Sequence, residues 1–131
     1  MTALTTDRAT PARDGERYSH PVAATAKIYA GSLVVLNATG YAAPGSTATG
    51  LIAAGRAEAQ VDNSAGADGA LSVEVSTGVF RFVNEGDITR AHIGDSAYIT
   101  DDQTVTAVTT GRSVAGTITD VDASGVWVKI G

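Results

Sequence analysis

The sequence predicts an all-β protein, and three patterns carry this prediction. Apolar and polar residues alternate with a period of two over residues 71–76 and again near the C-terminus over residues 126–130. Valine and threonine, which favour strands, dominate residues 104–110. Residues 122–125 carry hairpin chemistry, because Asp and Ser can bond their own backbone and Gly tolerates a positive φ. We therefore predict a compact, small β-barrel with an extended N-terminal arm.

The N-terminal segment differs in composition from the rest of the 131 residues. Residues 1–21 have few apolar side chains beyond Leu4 and Tyr18, so they can bury too little surface to order alone. We predict an arm over residues 1–21 and a single barrel domain over residues 22–131. Arg8, Arg13 and Arg17 would help the arm to order on a neighbouring subunit. A frayed terminus is the alternative.

Four segments of the predicted barrel domain are assigned in chain order. Residues 33–36 form an apolar run between turn-forming clusters, which indicates a strand. Residues 79–83 alternate around Arg81, which stands between two phenylalanines. Residues 87–93 are the one helical candidate, with Asp87 as a possible cap. At the C-terminus three apolar residues share one strand face, and Trp127 and Lys129 share the other.

Two glycine-led stretches, residues 31–37 and 94–100, resemble each other weakly, and each precedes a strand that contains glycine. Two similar halves closing on each other would form a small barrel and would hide most sheet edges. Chance explains so short a similarity equally well. Glycine suits a small barrel in either case, because tight corners and close backbone approach require a missing Cβ.

Composition excludes several classes of function. Nine Lys and Arg stand against fourteen Asp and Glu, and this net charge of −5 argues against a nucleic-acid binder, which needs clustered cations. The sequence has no cysteine, which excludes disulfides and thiol catalysis. No apolar run is long enough for a membrane helix, and the N-terminus has no signal-peptide core, so we expect no membrane partner.

Catalytic and metal sites are not expected either. Ser113 stands between glycines at residues 111 and 116, but the spacing is one residue too long for a nucleophile elbow. His20 and His92 lie at the edge of the arm and in a polar connection, which are poor places for a positioned base. Residues 120–125 copy the first half of a calcium loop, but the twelfth position is Gly131 instead of Glu. We predict that the protein is not an enzyme and has no cofactor.

Trp127 allows two interpretations. It lies opposite the apolar face of its strand, so it belongs either to a second-face core or a covered end of the barrel, or to a contact between subunits. Trp is favoured at the centres of interfaces, which supports the second interpretation.

Several ordered blocks resemble small head decoration, or capsid cement, proteins of Mu-like and related tailed bacteriophages. They are residues 27–42, 55–57, 61–75, 78–84, 93–105, 112–116 and 125–128. The resemblance covers residues 20–130, nearly the whole chain, and the first twenty residues carry no matching motif. Each block is short and rich in common residues.

The resemblance implies a virion structural protein with a barrel or β-tulip body. Such a protein is made in the bacterial host cytoplasm, binds the outer surface of the expanded capsid and bridges major capsid subunits. The partners implied are the major capsid protein and the chain itself, as a homotrimer at threefold positions or a dimer at twofold positions. A tail or baseplate β-domain and a surface adhesion or carbohydrate-binding module are the alternatives.

The residues that we assign to capsid or subunit contacts are Arg8, Arg13, Arg17, Tyr18 and Trp127.

Overall fold

The computed structural model describes residues 16–131 together with Ala3, Thr5, Thr6 and Ala9. These residues form twelve strands and one 3-10 helix, Arg90–His92. The strands are β1 (Arg17–Pro21), β2 (Lys27–Ile28), β3 (Leu33–Leu36), β4 (Ala42–Pro44), β5 (Ile52–Ala57), β6 (Val61–Asp62), β7 (Ser72–Ser76), β8 (Gly78–Asn84), β9 (Ser96–Ile99), β10 (Thr104–Thr106), β11 (Val114–Asp122) and β12 (Gly125–Ile130).

The strands form a closed barrel, an open sheet and a two-stranded ribbon. The barrel has the order β10-β8-β12-β11-β9, and β10 closes it by pairing parallel with β8 and antiparallel with β9. The open sheet has the order β1-β7-β5-β3-β4, and β2 pairs with β6. The all-β prediction and the small barrel are confirmed. The idea of two halves closing one barrel is wrong, because all five barrel strands come from the second half of the chain.

Strand β3 is shared by the two hydrophobic cores. Leu33 and Val35 point into the core that fills the barrel, while Val34 points into the core between the open sheet and the β2–β6 ribbon. All three side chains are at most 1 % exposed. A run of consecutive apolar residues is what a strand buried on both faces requires. The open sheet and the barrel are therefore packed against each other through β3.

The predicted hairpin is confirmed and the predicted helix is corrected. Oδ1 of Asp122 accepts hydrogen bonds from the amides of Ser124 (2.7 Å) and Gly125 (3.1 Å), which shapes the turn between β11 and β12. The 3-10 helix begins after Thr89 rather than at Asp87. The Asp87 carboxylate accepts a hydrogen bond from Oγ1 of Thr106 (2.5 Å) instead. The strand that we predict over residues 104–110 is shorter in the structure, because it ends at Thr106.

The predicted arm overlaps the folded body by one strand. Strand β1 pairs antiparallel with β7 along its whole length, from Arg17 opposite Ser76 to Pro21 opposite Ser72. Residues 17–21 of the predicted arm are therefore a strand of the open sheet, because β7 pairs with one side of their backbone. The rest of the predicted arm, apart from Ala3, Thr5, Thr6, Ala9 and Glu16, lies outside the described residues, as do Arg8 and Arg13. The arm on the capsid stays a prediction.

Replacing Gly116 by alanine should destabilise the barrel. A Cβ at this position would overlap the backbone carbonyl of Lys129 on β12, and Gly116 also adjoins a register irregularity in the pairing of β11 with β9. We expect Gly116→Ala to lower the free energy of unfolding by about 2–3 kcal/mol in chemical denaturation. Gly40→Ala is the control, because Gly40 has a φ of +86° but open space around its Cβ, so its cost should be limited to about 1 kcal/mol of backbone strain. Equal losses in the two variants would contradict this explanation.

Candidate interaction surface

A groove of about 500 Å³ follows the boundary between the open sheet and the barrel. Arg17 of β1, Arg56 of β5, Phe80 of β8 and Lys129 of β12 all contribute to its walls. We call it the seam groove. Arg17, one of the predicted contact residues, therefore lies in this groove, at the point where the chain enters the folded body.

Glu58 organises the cations of the seam groove. Its carboxylate accepts hydrogen bonds from Arg56 (3.1 Å) and from Ser76, and it pairs with Arg17 at 3.5 Å. Arg17 also reaches Glu74 at 3.1 Å. The hydrogen bond from Ser76, followed by that from Arg56, lowers the pKa of Glu58. The charged form is therefore retained below the ordinary pKa of a glutamate, and it holds both guanidinium groups in place.

A second groove, of about 320 Å³, shares Arg56 and Phe80 with the seam groove and extends to Arg81 and Trp127. Two cation–aromatic contacts lie along it. The guanidinium of Arg56 is 4.6 Å from the centre of the Phe80 ring, and that of Arg81 is 5.7 Å from the Trp127 ring. The structure therefore brings Arg17 and Trp127, which are far apart in sequence, to one side of the molecule.

Trp127 lies on the outer face of the barrel, half-buried, and belongs to neither core cluster of the described residues. Its Nε1 donates a hydrogen bond to Oδ2 of Asp122 at 3.0 Å. This bond, and next the amide of Ser124, lower the pKa of Asp122. The interpretation as a second-face core is wrong, and the role as a contact anchor stays a prediction. Trp127, Val79, Arg81, Val83 and Lys129 form what we call the β8–β12 face.

Tyr18 is separated in role from the other predicted contact residues. It is half-buried and packs against the core beneath the open sheet. Its ring is stacked on that of His20, with 6.3 Å between centres and 18° between planes. Tyr18 therefore holds β1 to the sheet, and the structure gives it no place in either groove.

The sequence-based assignment missed Arg56, Phe80, Arg81 and Lys129 as members of this surface. For Arg81 the sequence did hold a signal, because it stands between two phenylalanines in a predicted strand. Successive side chains of a strand point to opposite faces, so this pattern indicates that Arg81 lies outside the barrel. Arg56 had no comparable signal, since it meets Phe80 only because β5 packs beside β8.

The other polar candidates have structural roles. Ser113 is buried; its hydroxyl donates to the carbonyl of Ala48 (2.7 Å) and accepts from the amide of Leu51 (3.0 Å). Nδ1 of His92 accepts a hydrogen bond from the amide of Thr89 (2.9 Å). His92 therefore caps the 3-10 helix, and its side chain is not simply solvated. Burial, and next its neighbour Asp101, raise the pKa of Asp102.

Neither metal clusters nor membrane helices occur in the part of the chain that the structure describes. It contains no group of three or more His, Asp or Glu side chains that could hold a metal ion. It also contains no helix that is long and apolar enough to cross a membrane.

Comparison of the chain with protein-family models, curated proteins and solved structures finds no match.

The hydrogen bond between Trp127 and Asp122 should make the tryptophan fluorescence depend on pH. Because the folded-state pKa of Asp122 is lowered, the bond persists above the ordinary value of 3.8 and is lost as pH falls through the lower, folded-state pKa. We expect a change in Trp127 emission with a midpoint below pH 3.8, measured in a titration from pH 6 to the acid limit of folding. Asp122→Asn should lack this transition. A midpoint above 3.8, or the same transition in Asp122→Asn, would contradict the assignment.

Proposed function

We propose that this chain is a virion structural protein that binds the outer surface of the expanded phage head. In this role it stabilises the head by bridging neighbouring major capsid subunits, and it acts as a homotrimer. The resemblance of residues 20–130 to capsid cement proteins supports this proposal.

The observation that carries the proposal is that Arg17 and Trp127 line two adjoining grooves, which share Arg56 and Phe80. The chain enters the folded body at Glu16 and Arg17, which line the seam groove, and this groove adjoins the groove of Arg81 and Trp127. The N-terminal segment and the aromatic surface therefore start from one side of the molecule. A body that contacts one capsid subunit through this side can send its N-terminal segment to the next.

Bridging of this kind resists the outward pressure of packaged DNA, because the added contacts must break before the shell opens. A segment that folds on binding covers a large area per residue, although its ordering costs part of the free energy. Each contact can remain weak, since an oligomer that engages several subunits gains avidity.

The proposal is tested by co-sedimentation of the purified protein with expanded heads that lack it, followed by heating of the shells. Saturable binding at a fixed copy number per capsid subunit, together with a raised rupture temperature, would support the proposal. The copy ratio distinguishes threefold from twofold positions. Absence of binding would overturn it and would favour a tail or attachment role.

Deleting residues 1–15 should weaken binding to heads while the body stays folded. The deletion ends before β1, because removing Arg17–Pro21 would uncover the edge of β7. We expect affinity to fall by about tenfold or more, since one of the two contacts of each subunit is lost. Binding isotherms on expanded heads measure this loss, and an unchanged melting temperature is the control for folding. Undiminished binding would contradict a role for the arm.

Replacing both Arg8 and Arg13 by alanine should weaken attachment in a manner that depends on salt. If the two side chains meet acidic capsid groups, the loss relative to the unmodified chain should shrink as ionic strength rises. Arg17 is left unchanged because its ion pairs with Glu58 and Glu74 hold β1 in the sheet. A loss that is the same at all salt concentrations would indicate packing instead of charge.

A further inference from the structure

The β8–β12 face combines exposed apolar side chains with two cations. Val79 and Val83 are 47 % and 49 % exposed, and they alternate with Arg81 along β8. On β12, Trp127 stands opposite Arg81, and Lys129 stands opposite Val79. Contiguous apolar surface with a polar rim is typical of a contact with another molecule.

The cations of this face form no ion pair of their own, although the charge of Arg81 is close enough to Asp122 to contribute to the lowered pKa of that carboxyl. Arg17, Lys27, Arg56 and Arg90 each form an ion pair within the described residues. Arg81 and Lys129 form none with any carboxylate that the structure describes, although acidic residues outnumber basic ones in the chain. Two cations without an ion pair in the described residues of an acidic protein are complementary to carboxylates supplied by a partner.

The face is also held rigid before any partner arrives. Trp127 is fixed between the Asp122 carboxylate (3.0 Å) and the Arg81 guanidinium (5.7 Å). The two strands that carry the face are paired over five residues in the middle of the barrel sheet. A rigid aromatic side chain flanked by Arg loses little conformational entropy on binding, as is typical of residues that dominate interface energies.

The geometry points to the β8–β12 face as the docking surface for an acidic segment of the major capsid protein, with carboxylates on both sides of an apolar side chain. This inference rests on the proposed function and names the surface and the partner chemistry of the attachment. The apolar side chain would enter the groove between Arg56 and Trp127, and the carboxylates would meet Arg81 and Lys129. A twofold contact between two copies through this face would instead place these cations against each other, which is repulsive.

The test reverses one charge at a time and measures binding to expanded heads. The variants are Arg81→Glu and Lys129→Glu. Arg81→Gln is a milder variant, because it removes the charge without reversing it and keeps a long polar side chain. Lys27→Glu is the matched control, because it changes the net charge equally on β2, which lies outside the barrel. Melting temperatures establish that all four variants are folded, and sedimentation velocity measures self-association.

We expect Arg81→Glu and Lys129→Glu to bind about tenfold or more weakly at low salt, with the difference from the unmodified chain shrinking as salt rises. Arg81→Gln should fall between them and the unmodified chain, and Lys27→Glu should bind within about twofold of it.

Each other outcome overturns the inference in a recognisable way. If the variants of this face bound heads as well as the unmodified chain does, the proposed function would be retained, but this face would not be its docking surface. Equal weakening by Lys27→Glu would show a general charge effect instead of a site. Loss of self-association with retained head binding would identify a subunit contact. If the unmodified chain failed to bind heads, the proposed function would fall, and this inference with it.

Discussion

The burial of β3 on both faces is the constraint on which the rest of the structure depends. Leu33 and Val35 complete the barrel core, and Val34 completes the core of the open sheet, so neither core closes without this strand. The pairing of β5 with β3 contains a register irregularity beside Gly55. A Cβ added at Gly55 would overlap the backbone of Ser76 on β7. A side chain at that position would separate β5 from β7. The close fit of these three strands places Arg56 next to the barrel.

The candidate surface is a consequence of that packing. Once β5 lies against the barrel, the Arg56 guanidinium covers the Phe80 ring, and Glu58 can hold Arg56 and Arg17 at the same time. Individually these exposed contacts are weak. Their effect is geometric, because they fix cations and aromatic rings along two adjoining grooves. A rigid surface of this kind suits a protein that binds and bridges, which agrees with the proposed role on the capsid.

The boundary at the N-terminus shows how an edge strand escapes detection by composition. Residues 17–21 are polar enough to resemble the segment before them, yet Tyr18 and His20 both turn toward the sheet and Tyr18 reaches its core. An edge strand needs few apolar side chains, since its other side and other face remain in water. Backbone pairing with β7, which composition does not reveal, decides that these residues belong to the folded body.

By itself the sequence determined the all-β class, the hairpin at Asp122 and the alternation of β12, which sets Trp127 and Lys129 on the face opposite its apolar residues. These features depend on alternation and turn chemistry, which act between near neighbours in the chain. Only the tertiary structure decided that the barrel closes through β10, that β3 serves two cores and that Arg17, Arg56 and Trp127 share one side. Those relations join residues that are tens of positions apart in the chain. They depend on which strands pack together, and local sequence patterns do not determine that packing.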